Sequence, residues 1–158
     1  MKQYKLIIFD VDGTLVQTKS GATFRKTASD WQWLPGRLEK LEQLKVQGIK
    51  LALATNQGGV AFGLLDYHEM RSELERLRVE MQADYLAICF THPKATRDEY
   101  RMDSPRRKPG PGMLQDAMNA LSIASEDTLM VGDREEDARA ALNAGVDFAW
   151  ADRFFEGG

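Results

Sequence analysis

Four short stretches hold the side chains of this sequence best suited to chemistry. They are Asp10-Val11-Asp12-Gly13-Thr14, Thr55-Asn56-Gln57, Arg107-Lys108-Pro109, and Gly132-Asp133 followed by Asp137. A carboxylate can attack phosphorus to give an aspartyl phosphate, and a second one nearby can handle the proton of the leaving group. Asp10 and Asp12 would project the same way in an extended chain, although Gly13 implies a turn. The same residues also suit an Asp-Gly turn that merely closes a strand. A hard cation needs several oxygen ligands, which Asp10, a backbone carbonyl near Asp12 and Asp133 can supply. Read alone, Asp133 is equally a helix cap, with Glu135, Glu136 and Asp137 as favourable first-turn charges. The hydroxyl of Thr55 and the backbone N–H groups of TNQGG can hold phosphate oxygens. Lys108, kept extended by Pro109, is placed to oppose phosphate charge. Singly, TNQGG also fits an ordinary loop, and RRK a solvated basic run.

These residues acquire meaning from the elements that must carry them. Short apolar runs at Leu6–Phe9, Leu51–Ala54, Tyr85–Phe90 and Thr128–Val131, with a weaker one at Phe148–Trp150, read as strands buried on both faces. Helical stripes alternate with them. One carries Leu38, Leu41 and Leu44 and stops at Gly48; a second carries Met70, Leu74, Leu77 and Met81, with Asp66 and Glu69 at its start. A third opens at Pro111 and a fourth runs from about Glu135 to Asn143, ending near Gly145. Strands separated by helices require right-handed crossovers, so the fold class is α/β, a parallel sheet with helices on both faces. Ligands in such sheets sit beyond the carboxyl ends of the strands, where all four stretches fall.

The 158 residues suit a single domain spanning 1–158, and the net charge of −3 argues against wholesale electrostatic binding to nucleic acid. One cysteine, Cys89, excludes an internal disulfide, and no run approaches the length of a membrane span, so a cytoplasmic location and no membrane partner are expected.

The order Asp-x-Asp-Gly-Thr, Thr-Asn, Lys-Pro, Gly-Asp-x-x-x-Asp, from Asp10 to Asp137, resembles the haloacid dehalogenase superfamily of phosphatases. The resemblance implies a Rossmann-like core and a magnesium-dependent phosphomonoesterase. Asp10 would be the nucleophile and Asp12 the general acid and base. Thr55, Asn56, Arg107 and Lys108 would bind the phosphorylated substrate, with Thr55 and Lys108 also serving catalysis. Mg²⁺ would be held by Asp10, Asp12 through its carbonyl, and Asp133, and Asp137 would orient Lys108 or a metal-bound water. Neither gap after the first two motifs has room for a large cap domain, so an open site is expected.

TNQGG and RRKPGPGM are similar to subfamily IIIA, which contains heptose-bisphosphate phosphatase, histidinol-phosphatase and the 3′-phosphatase domain of polynucleotide kinase-phosphatase. The first two commonly hold a zinc between the second and third motifs. Cys89 and His92 cannot assemble four ligands here, so no zinc is expected. TKSGATFRKTASDW resembles the TxSGxxF…DW segment of the 3′-phosphatases, which favours the 3′ end of DNA or RNA as substrate, with a small sugar phosphate or other metabolite as the alternative. From Lys94 to Lys108 six basic residues face three acidic ones, and Lys19, Arg25 and Lys26 add a second cluster. A polymer would meet Arg106, Arg107 and these flap cations, with Phe24, Trp31 or Trp33 stacking on a base. Packing of the tryptophans onto the core is the competing expectation. A signalling receiver domain shares the acidic cluster, but there the phosphorylated aspartate ends the third strand, where this chain has Phe90-Thr91-His92.

Overall fold

The computed structural model describes residues 2–156. β1 (Leu6–Phe9) is apolar at every position because it is covered on both sides. The chain continues through β2 (Val16–Gln17), β3 (Gln32–Trp33), α1 (Arg37–Val46), β4 (Lys50–Asn56), α2 (Gly58–Ala61) and α3 (Tyr67–Glu80). β5 (Tyr85–Cys89), α4 (Gly112–Leu121), β6 (Thr128–Gly132), α5 (Glu135–Ala144), β7 (Asp147–Trp150) and α6 (Ala151–Glu156) complete it. The main sheet has the order β5-β4-β1-β6-β7, and every neighbouring pair is parallel.

Alternation along β1 sorts the core into two halves. Ile7 and Phe9 pack with Leu41 and Leu44 of α1 and with Met70, Leu74 and Leu77 of α3. Leu6 and Ile8 pack with Met113, Leu114 and Ala117 of α4 and with Ala140 and Ala141 of α5. The expected helix stripes therefore cover opposite faces. Asp66 caps α3 by accepting from Glu69 N at 3.0 Å, and Gly48 and Gly145, at φ 85° and 73°, follow α1 and α5 in the left-handed region that glycine tolerates. Pro111, the expected first helical residue, stands just outside α4 as its cap residue, so the helix starts one position later.

β1 is central, with β4 on one side and β6 on the other, and the register sets Phe9 opposite Leu53 and Val131. The chain order reverses at β1, so a crevice opens beyond its carboxyl end, the place where doubly wound sheets bind ligands. Asp10 follows directly.

The segment between β1 and α1 is a flap whose base is the antiparallel pair β2–β3, with Val16 opposite Trp33. Asp30 organises its loop by accepting from Ser20 N at 2.9 Å, Ser20 Oγ at 2.7 Å and Lys26 N at 2.9 Å. These contacts hold the Asp30 carboxyl down at about 2, the Lys26 N–H contributing most. Trp31 is buried in the core and meets Trp33 edge to face at 5.9 Å, while Trp33 Nε1 donates to Glu80 at 3.1 Å. Trp31 is thus not available to stack on a base; Phe24, 72% exposed, is the open aromatic of the flap. No helix of the described residues is long and apolar enough to cross a membrane.

Candidate active site

Lys108 is the hub. Its ammonium, buried, donates to Asp10 Oδ1 at 2.8 Å, Asp137 Oδ1 at 2.6 Å and the carbonyl of Ala54 at 2.9 Å, which uses all three hydrogens. Asn56 sets the lysine in place. Its Nδ2 donates to Lys108 O at 3.1 Å, and its Oδ1 accepts from Lys108 N at 3.1 Å. Both ends of the amide expected to bind substrate are therefore engaged with the main chain of Lys108. The Lys108–Pro109 peptide bond is cis. Asp137 Oδ2 accepts from the backbone N–H groups of Asp133 and Arg134, at 3.2 and 3.1 Å, so the first turn of α5 is tied to the same carboxylate.

Burial pushes the Asp10 carboxyl up to about 6, against the pull of Lys108 and with the neighbouring Asp133 adding to the rise. Burial and the charge of Asp10 raise Asp137 as well. For Lys108 burial works against the charge, but the two carboxylates outweigh it and its pKa rises. The lysine is held protonated.

Thr14 Oγ bridges two of the carboxylates, at 3.3 Å from Asp10 Oδ2 and 3.2 Å from Asp133 Oδ1. Gly13, at φ 88°, lies so near the Asp133 carboxylate that a side chain there would collide with it. Oxygens of Asp10, Asp133 and Asp137 all lie within 4.8 Å of one another. Three carboxylates face one ammonium, and that surplus of negative charge on hard oxygen donors fits a divalent cation such as Mg²⁺. The set matches the magnesium site of haloacid dehalogenase phosphatases. Asp137 is already committed to Lys108 and two N–H groups, which leaves Asp10 and Asp133 as the carboxylates open to the ion. Adding Mg²⁺ at a hundredfold excess over its Kd should raise stability by about 2.7 kcal/mol, roughly 5–10 °C in Tm. Thermal melts with Mg²⁺ and with EDTA check this; identical curves would count against an ion at these carboxylates.

The side chain of Asp12 turns away from that cluster. Gln57 Nε2 donates to its Oδ2 at 3.0 Å and to Thr55 Oγ at 2.9 Å, while Arg25 Nε donates to its Oδ1 at 2.9 Å. Only its carbonyl remains for a metal. Thr55, buried, and Asp12 thus share one donor. Arg25, expected to meet polymer phosphates, is instead buried against Asp12. Arg106 is engaged too, on Asp116 at 2.9 Å, and Arg107 Nη1 reaches Thr91 O at 3.3 Å. Thr14, Gln57 and the inward turn of Arg25 escaped the sequence reading. Thr14 and Gln57 lie inside the motifs, Thr14 beside Asp12 and Gln57 beside Thr55, whereas Arg25 has no local signal. Cys89 is buried with Sγ 3.3 Å from Thr91 Oγ, and His92 Nδ1 accepts from Lys94 N at 2.9 Å.

A nucleophile-type carboxylate just beyond the central parallel strand, ringed by a lysine, an aspartate that follows β6 and another in the first turn of α5, defines a phosphatase of the haloacid dehalogenase superfamily. Residues 5–156 match the family described as polynucleotide kinase 3 phosphatase. The D-glycero-beta-D-manno-heptose-1,7-bisphosphate 7-phosphatase of Photorhabdus laumondii is 34% identical over 145 residues, covering 89% of this chain and 76% of that protein. The enzyme of the same name from Escherichia coli K12 is 30% identical over 150 residues, 92% and 77% of the two chains. A crystal structure of D,D-heptose 1,7-bisphosphate phosphatase from B. bronchiseptica, complexed with magnesium and phosphate, superposes with a TM-score of 0.72 at 29% identity, covering 97% of this chain and 86% of that one. The chain belongs to the polynucleotide kinase 3 phosphatase family of haloacid dehalogenase phosphatases.

Proposed function

We propose that this protein is a magnesium-dependent phosphomonoesterase that removes phosphate from a small sugar phosphate through an aspartyl phosphate on Asp10. The observation that carries the chemistry is the buried Lys108 held between Asp10 and Asp137, with Asp12 two residues beyond the nucleophile. In the first step a carboxylate oxygen of Asp10 forms a bond to phosphorus as the ester P–O bond breaks. The electron pair leaves with the sugar oxygen, which takes the proton of the Asp12 carboxyl. In the second step Asp12 takes a proton from water whose oxygen bonds to phosphorus, and the acyl phosphate P–O bond returns its electron pair to Asp10. Lys108 opposes the charge on the transferring group, and the Thr55 hydroxyl donates to one of its oxygens. Asp10, Asp133 and the Asp12 carbonyl would hold Mg²⁺, which when bound supplies further charge neutralisation at the phosphoryl group.

Two observations support a small substrate. The relatives above with 34% and 30% identity are named for a heptose bisphosphate. Arg25 and Arg106, two of the five cations expected to track a polymer, are paired with Asp12 and Asp116. The description of the matching family and the exposed Phe24 of the flap favour a second reading, a 3′-phosphate end of DNA or RNA. With Mg²⁺ present, kcat/KM measured on a panel of sugar mono- and bisphosphates should exceed that on a 3′-phosphorylated oligonucleotide by at least about tenfold, the scale of one good site contact. The reverse order would install the polymer reading instead. The single buried Cys89 accords with a reducing, cytoplasmic setting for this activity.

A further inference from the structure

Arg25 is an odd residue to find buried. Its side chain is 4% exposed, although its neighbours Phe24 and Lys26 both face solvent. Taking a guanidinium out of water is unfavourable unless its donors are satisfied. Nε meets Asp12 Oδ1 at 2.9 Å and Nη1 meets Ala28 O at 2.9 Å, but Nη2 is buried with no partner among the described residues. A guanidinium presents Nε and Nη2 along one edge, a fork that a free carboxylate accepts with both oxygens. Here the second oxygen of Asp12 is taken by Gln57, at 3.0 Å. The half-closed fork leaves Asp12 shared, one oxygen fixed from the flap and the other from the loop that carries Thr55. Its side chain is still 42% exposed at the rim. Each carboxylate oxygen keeps a lone pair for a proton.

We propose that Arg25 is a positioning residue for Asp12, the group that hands its proton to the leaving oxygen. It fixes the carboxylate from the flap side. The inference rests on Asp10 and Asp12 having the roles given above and on no particular substrate.

Two esters separate positioning from support. An alkyl phosphate needs a proton at its leaving oxygen, whereas nitrophenolate leaves without one. Arg25→Gln should lower kcat/KM for the best alkyl substrate about 10–100-fold, within the usual reach of general acid catalysis, and for p-nitrophenyl phosphate less than about threefold. Combined with Asp12→Asn, it should add less than about twofold to the loss on the alkyl ester, because both changes remove the same function. Equal losses on the two esters, or full additivity with Asp12→Asn, would overturn the proposal. If Arg25→Gln does not fold, as judged by circular dichroism, the same ratio is read on Arg25→Lys, which keeps the charge with one donor group. Failure of the sugar-phosphate reading shows differently: wild type would then hydrolyse no sugar phosphate, and a nucleoside 3′-phosphate would serve as the alkyl ester.

Discussion

Asp10→Asn is expected to lose at least about 10⁴-fold in kcat, the scale seen when a covalent nucleophile is removed, while the fold stands. An amide does not attack phosphorus. Steady-state phosphate release with the best substrate measures the loss, and mass spectrometry of rapidly quenched wild type should find the added phosphate on the peptide holding Asp10. The stability sign follows from the raised pKa. A carboxyl moved from 3.8 to about 6 in the folded protein contributes stability below about pH 3.8 and loses it as pH rises through about 6. Without metal, the neutral asparagine escapes that loss, so the variant should melt no lower than wild type at pH 8. Activity within tenfold of wild type would sink the covalent route. A collapse in Tm at pH 8 would contradict the account of Asp10 as a buried charge held in place for chemistry.

Lys108→Met should be the most damaging change to the site as a whole. The methionine fills much of the same space but leaves Asp10 and Asp137 facing each other without the ammonium that joins them. Breaking a buried pair by removing one partner costs about 3–5 kcal/mol, and removing a fixed charge that opposes the transferring group costs roughly 10²–10³ in kcat. The two effects separate by pH. With the lysine gone, both carboxylates are driven further up, so the stability deficit is large at pH 8 and shrinks as they protonate towards pH 5. Urea titrations of metal-free protein at the two values, beside wild type, measure it. A deficit independent of pH would mean that the lysine contributes packing and not charge.

The frame of the fold was legible because it is written locally. Leu6–Phe9 is a run apolar at every position, a demand for cover on both faces, and the two halves of the core give it that cover. The stripes of α1 and α3 lie where their leucines and methionines placed them, and Gly48 and Gly145 follow the helices they were expected to end. The antiparallel pair β2–β3 and the four-residue α2 were not foreseen, since elements of two to four residues are too short to show a period. The chemical groups were legible too, because a parallel sheet delivers the residues after its strands to one rim. Asp10 and Asp133, which directly follow β1 and β6, are brought together there for that reason.

What the sequence by itself determined, then, is which residues reach the rim. What they touch there was decided by tertiary structure. Arg25 lies in a run of polar flap residues that looks solvated, yet the pairing of β2 with β3 and the loop built on Asp30 turn it inward onto Asp12. Asn56 stands next to Thr55, yet clamps the backbone of a lysine 52 positions away. Burial, a property of the packed whole, raises Asp10 to about 6, and the ammonium that answers Asp10 and Asp137 comes from a distant loop. Local pattern encodes direction and cover, because these depend on periodicity and turn chemistry. A hydrogen-bond partner or a pKa depends on which distant groups arrive within about 3 Å, and only the closed fold brings them there.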